Sequence, residues 1–140
     1  MPLASHKVEV NAPIETLWKL LIDKIDHPDR YVPGVEKVEI VQRFAGHNIE
    51  RLMHTSSGKA VHEIIVANEQ TRSVLFKLTD DPIYTGFVLN TVFEEDGKIW
   101  LDFTLHWTAK SGQEPEGGPD WQQTIQGAVE HTKKLAEQTQ

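Results

Sequence analysis

From Gly46 to Thr108 apolar and polar residues alternate in short runs separated by turn signals, the period-two pattern of half-buried strands. The turns set the register. Asp96-Gly97 is a two-residue hairpin loop, which places Val92 opposite Leu101, Asn90 opposite Phe103, Val88 opposite Leu105 and Gly86 opposite Trp107. A loop centred on Ser57 places Met53 opposite Val61, Arg51 opposite Glu63 and Ile49 opposite Ile65. A turn at Glu69-Gln70 sets Ile65 against Val74, Glu63 against Phe76 and Val61 against Leu78. A turn at Asp80-Asp81-Pro82 sets Phe76 against Val88 and Val74 against Asn90. Directly paired residues share a face, and a one-residue slip inverts a strand. All four turns therefore build the same apolar face, broken only by Arg51, Glu63 and Asn90.

Helical spacing flanks this block. His6 to Val10 reads as a short strand. Asn11 offers a helix N-cap and Pro13 fits the first turn, where its missing N–H costs nothing. Ile14, Leu17, Trp18, Leu21, Ile22 and Ile25 then form one apolar stripe, and the helix fades near Asp26 because His27 precedes Pro28. A turn or short helix follows, ended by Pro33-Gly34, and Val35 to Phe44 reads as a strand. After a polar loop from Lys110 to Gly118, Pro119 and Asp120 start a second helix. Its stripe is Trp121, Ile125, Ala128, Val129, Thr132, Leu135 and Ala136, well placed to lie across the apolar face. A lined apolar interior with a few convergent polar groups is how a protein holds a small hydrophobic molecule.

Composition narrows the classes. A chain of 140 residues, 39% hydrophobic and 25% charged, is one globular domain spanning residues 1–140. A net charge of −7 argues against a nucleic-acid groove, which needs clustered Lys and Arg. The absence of cysteine removes disulfides, thiolate metal sites and a Cys nucleophile. With no apolar signal segment ahead of the first strand, and no run near the roughly 18 apolar residues of a membrane span, a cytoplasmic protein is expected.

The order of elements is strand, helix with a short helical turn, six strands and a long C-terminal helix. Together with the opening Val8-Glu-Val-Asn-Ala-Pro-Ile-Glu-Thr-Leu-Trp18, it resembles the START-like, or birch-pollen-allergen-like, superfamily (SRPBCC) over nearly the whole chain. The segments Tyr31-Val-Pro-Gly-Val-Glu, Arg51-Leu-Met53 and Tyr84-Thr-Gly86 to Asn90 resemble a microbial branch of uncharacterised function. The resemblance implies an α+β helix-grip fold, a curved seven-stranded antiparallel sheet wrapped around the last helix. It also implies a cavity for lipids, polyketides, hormones or other apolar molecules. The superfamily further includes aromatase/cyclases, ring-hydroxylase domains and chaperone-stimulating domains, so the fold alone does not give the function.

Arg51 and Glu63 are the leading site candidates. A buried ion pair is costly to desolvate, so its place on an apolar face needs a reason. Arg51 can bind a carboxylate, phenolate or carbonyl oxygen with its planar fork, and Glu63 can orient it or act as a base. Alternatively the two are a structural pair near the open end of the sheet. Asn90 offers a ligand hydrogen bond, or else satisfies Arg51 or a buried water. Met53, Phe76, Phe103 and Trp107 are walls of a pocket or plain core, and Tyr84 lies near the expected mouth.

His54, His62 and His106 fall on the outer face, and Asp23, Asp26, His27 and Asp29 crowd a helix end. Neither group has metal-ligand spacing. Ser56-Ser57-Gly58 reads as a turn, and Gly117-Gly118 lacks a phosphate-loop pattern. No cofactor motif is present.

Ile64, Leu75, Phe87, Leu89, Phe93 and Trp100 form an outer apolar patch that suggests a homodimer. Three functions remain open. The first is a module that binds a small hydrophobic ligand. The second is a cofactor-independent cyclase, dehydratase or isomerase with Glu63 as acid/base and Arg51 stabilising an oxyanion. The third is an interaction module acting through its outer face.

Overall fold

A computed structural model describes residues 3–115, 118 and 120–138. The helix start expected at Pro119, and Gly117 of the diglycine, lie outside them. The described chain runs β1 (Leu3–Glu9), α1 (Ile14–Asp26), a 3₁₀ turn (Pro28–Arg30), β2 (Val35–Arg43), β3 (Ile49–Thr55), β4 (Ala60–Asn68), β5 (Ser73–Leu78), β6 (Tyr84–Glu95), β7 (Lys98–Ala109) and α2 (Trp121–Gln138). One antiparallel sheet has the order β1-β7-β6-β5-β4-β3-β2. Strands β2 to β7 form a meander, and β1 closes onto β7. This is the helix-grip fold.

Three of the four turn-derived registers are observed, at Ser57, Asp80-Asp81-Pro82 and Asp96-Gly97. Asp96 and Gly97 both have positive φ, 56° and 74°, as a primed two-residue turn demands. The Glu69-Gln70 register is corrected. Glu63 pairs with Leu78, Ile65 with Phe76 and Ala67 with Val74. The loop here is Glu69 to Arg72, because Asn68 Oδ1 accepts from the Thr71 N–H and Arg72 turns back at φ 52° to donate to the Glu69 carbonyl. The shift is two residues, so every side chain keeps its face. All seventeen inner-face positions are buried except Val61, Gly86 and Val88, which are half-buried.

Asn11 is not the cap of α1. Pro13 holds that position in extended geometry without a side-chain cap, and the Asn11 N–H donates to Glu137 instead. α2 begins with Asp120 Oδ1 accepting from the Gln123 N–H, a side-chain N-cap. It does not lie evenly across the sheet. It packs chiefly on β1 and β7, pinned by Gln122 to the Ser5 carbonyl and by Lys133 to the Glu9 carbonyl. The C-terminal end of α1 reaches the central strands, and that difference positions the site. Opposite Trp107, Gly86 adopts φ 128°, and a Cβ there would stand 1.9 Å from the His106 carbonyl oxygen. Only glycine lets β6 approach β7 at this point.

Candidate functional site

The last turn of α1 creates a backbone problem that the site solves. Lys24 O should accept from the N–H four residues on, but residue 28 is proline. Arg51 on β3 supplies the missing donor. Its Nη1 donates to Lys24 O at 3.0 Å and to Ile25 O at 2.8 Å. A guanidinium at the negative end of the helix is also favoured by the helix dipole. Its Nη2 donates to Glu63 Oε1 at 2.7 Å, on the neighbouring strand β4. Both arms of the fork are therefore committed, and Nε alone is unpaired. Arg51 and Glu63 are 2% and 4% exposed, so the pair is fully inside rather than at an open rim.

Lys24 belongs to the same cluster, and sequence reasoning misses it. The signal is available: Lys24 stands seven residues after Leu17 and three after Leu21, on the apolar stripe of α1. It is buried, with Nζ donating to Asn90 Oδ1 at 3.1 Å. Nζ also lies 4.5 Å from the Phe103 ring centre and 5.1 Å from that of Phe76, and the Arg51 guanidinium sits 5.6 Å from the same Phe76 ring. Phe76 and Phe103 thus sandwich cations as well as fill the core. Burial first, and then the Arg51 charge, lower the Lys24 pKa from 10.5 to about 8, while Glu63 works the other way.

Asn90 is completely buried. Its oxygen takes Lys24, and its Nδ2 has no partner. Four residues along β7 from Phe103, the indole Nε1 of Trp107 is likewise buried and unpaired. Trp107 packs edge-on against Trp121 of α2 at 4.9 Å and beside Tyr84 at 5.6 Å. Lys59 Nζ caps Tyr84 and Trp107 at 5.2 and 5.8 Å. Met53 is buried on the same face as Arg51. The predicted residues Arg51, Met53, Glu63, Phe76, Asn90, Phe103 and Trp107 are all brought to one interior. Tyr84 is drawn into its aromatic end, anchored where Asp81 Oδ2 accepts from the Tyr84 N–H at 2.7 Å.

Several of the other candidates have local partners. Asp23 accepts from Arg30 at 3.0 Å and from the Tyr31 hydroxyl at 2.8 Å, and Asp26 accepts from Arg43. His54 and His62 face Glu39 and Glu50. The outer apolar residues are half-buried by pairing Leu75 with Leu89 and Phe93 with Trp100, with Lys7 over the last two rings. A surface hollow of about 450 Å³ lies away from the buried cluster, between Asn11, Pro13, Lys98, Lys133 and Glu137. Among the described residues no helix is long and apolar enough to cross a membrane.

The family described as acetylaranotin biosynthesis cluster protein L, AtaL, matches residues 5–139. The chain belongs to this family. Among curated proteins none matches it. Solved structures share the fold of this AtaL-family chain at low identity. A protein from Thermus thermophilus has TM-score 0.74 at 15% identity, covering 99% of both chains. Ara h 8.0201 has TM-score 0.70 at 18% identity, covering 96% of this chain and 97% of its own. A START superfamily protein from Mycobacterium smegmatis has TM-score 0.66 at 18% identity, covering 98% and 95%. The AtaL-family chain therefore shares its fold with a START superfamily protein and with Ara h 8.0201.

Proposed function

We propose that this AtaL-family protein binds a small, mostly apolar molecule between the sheet and its two helices. Met53, Phe76, Phe103 and Trp107 form the walls, and the Arg51, Glu63 and Asn90 cluster, joined by Lys24, holds the polar end. The supporting observation is the set of buried, unpaired donors at Arg51 Nε, Asn90 Nδ2 and Trp107 Nε1. Folded proteins rarely leave such groups unsatisfied, and a ligand would pair them. A small-molecule ligand also suits a family described by a biosynthesis cluster. We also propose that the protein acts in the cytoplasm and that two copies pair through the outer face of Ile64, Leu75, Phe87, Leu89, Phe93 and Trp100.

Native mass spectrometry of the purified protein, followed by denaturing extraction, tests this. The expected result is one small apolar molecule per chain, released on denaturation, on a dimeric mass. A bare chain that takes up no added apolar compound would overturn the binding reading.

The Glu63 carboxylate, buried on the apolar face beside Arg51, supports a second reading, cofactor-independent cyclase, dehydratase or isomerase chemistry with Glu63 as acid/base. In that case Glu63→Gln would keep binding and lose turnover.

A further inference from the structure

The cluster carries more positive than negative charge. Lys24 and Arg51 are two buried cations, and Glu63 is the one carboxylate paired with them. Glu63 is held by Arg51 at 2.7 Å, and among the described residues no carboxylate lies within ion-pair distance of Lys24 Nζ. Its one hydrogen bond goes to a neutral amide oxygen, and its other near neighbours are the faces of Phe76 and Phe103. The polar atoms left over tell the same story. Among the described residues every buried side-chain atom without a partner is an N–H donor, and three of the four belong to this inner face. The cluster thus has one positive charge in excess, and the inner face three unpaired donors. A neutral oxygen could accept from the donors but would leave the charge in place, and a cation would add to it. An oxyanion removes it.

We infer that the polar end of the ligand is an ionised oxygen acid, a carboxylate, enolate or phenolate on an apolar body, received by Lys24 with Asn90 Nδ2 and Arg51 Nε. This inference rests on the binding reading above and gives its ligand a chemical class. Lys24 is the discriminating residue, because both arms of Arg51 are spent on Glu63 and on α1. Asn90 positions the ammonium through its oxygen and turns its own Nδ2 to the ligand.

The charged groups facing Lys24 are Arg51 from β3 and Glu63 from β4, while β5, β6 and β7 present Phe76, Asn90 and Phe103. An anion that needs the ammonium binds more weakly as pH rises past about 8, where Lys24 in the free protein loses its proton.

Two fluorescent probes of nearly equal shape separate the possibilities. 8-Anilinonaphthalene-1-sulfonate is an anion throughout, and N-phenyl-1-naphthylamine is its neutral counterpart. The wild-type protein is expected to prefer the sulfonate by about tenfold or more at pH 7, the worth of one charge-assisted hydrogen bond. That preference is expected to vanish in Lys24→Met and to fall several-fold in the wild-type protein between pH 7 and pH 9.5. The pH arm needs no variant, so a Lys24→Met protein that fails to fold leaves the question decidable. Saturable binding of the neutral probe with no preference for the sulfonate, or a preference that is the same at both pH values, would overturn the acid reading and leave the apolar chamber standing. Binding of neither probe would overturn both.

Discussion

Replacing Glu63 by Leu is expected to cost about 3–5 kcal/mol of folding stability, read from urea unfolding, because it strands buried charge rather than merely removing a contact. Arg51 and Lys24 would remain inside the sheet without a carboxylate, and Arg51 cannot swing out to water. Its Nη1 is fixed to two α1 carbonyls, one of which has no backbone donor because Pro28 has no N–H. The double variant Arg51→Met with Glu63→Leu is expected to be more stable than Glu63→Leu alone. It exchanges the pair for apolar groups of similar volume and gives up only the two carbonyl bonds. The coupling between the two positions should reach about 2 kcal/mol or more. Independent, additive losses would mean that the two side chains do not act as a buried pair.

Raising the pH from 7 to 10 is expected to stabilise the wild-type protein, the reverse of what a surface lysine produces. Lys24 has a pKa of about 8 when folded, against 10.5 for an ordinary lysine. Between those values the unfolded chain binds more protons than the folded one, so unfolding becomes less favourable as pH rises. Below about pH 8 both states hold the proton, and the fold bears the full cost of a buried ammonium. Relief of that cost amounts to as much as about 3 kcal/mol. Above pH 10 the trend reverses, because burial raises the pKa of Tyr31 and Tyr84, and the fold holds their protons after the unfolded chain has released them. Urea midpoints across pH 7 to 10 measure the rise, and Lys24→Met is expected to flatten it. A midpoint that stays level or falls in the wild-type protein over this range would remove the buried ammonium.

Most of this fold is legible because strand alternation and turn chemistry are local. Asp96-Gly97 admits one hairpin geometry, and the face assignment of Arg51, Glu63 and Asn90 follows from pairing alone. The turn after Asn68 defeats the same reasoning because a side-chain oxygen, and an arginine with positive φ, build a four-residue loop where two residues are expected. The face survives that error because the shift is even. The orientation of α2 is not legible, since an amphipathic stripe says that a helix packs and not which strands it packs on. What escapes in the site is the part contributed by tertiary contact. The use of Arg51 as the C-terminal donor of α1 depends on Pro28 and on where α1 crosses β3. Lys24 is visible as a polar break in an apolar stripe, yet its partner Asn90 is 66 residues away, and only the folded chain joins them.

A small apolar molecule that enters the interior meets the unpaired donors there. Titration of ¹⁵N-labelled protein with neutral N-phenyl-1-naphthylamine reads this out, because those donors carry their own signals. Saturable shifts of the Trp107 indole N–H and the Asn90 side-chain amide, with the outer-face amides of Ile64 and Leu89 unmoved, are the expected result. Saturation that leaves both signals in place, or shifts confined to the surface hollow at Asn11 and Lys98, would contradict it.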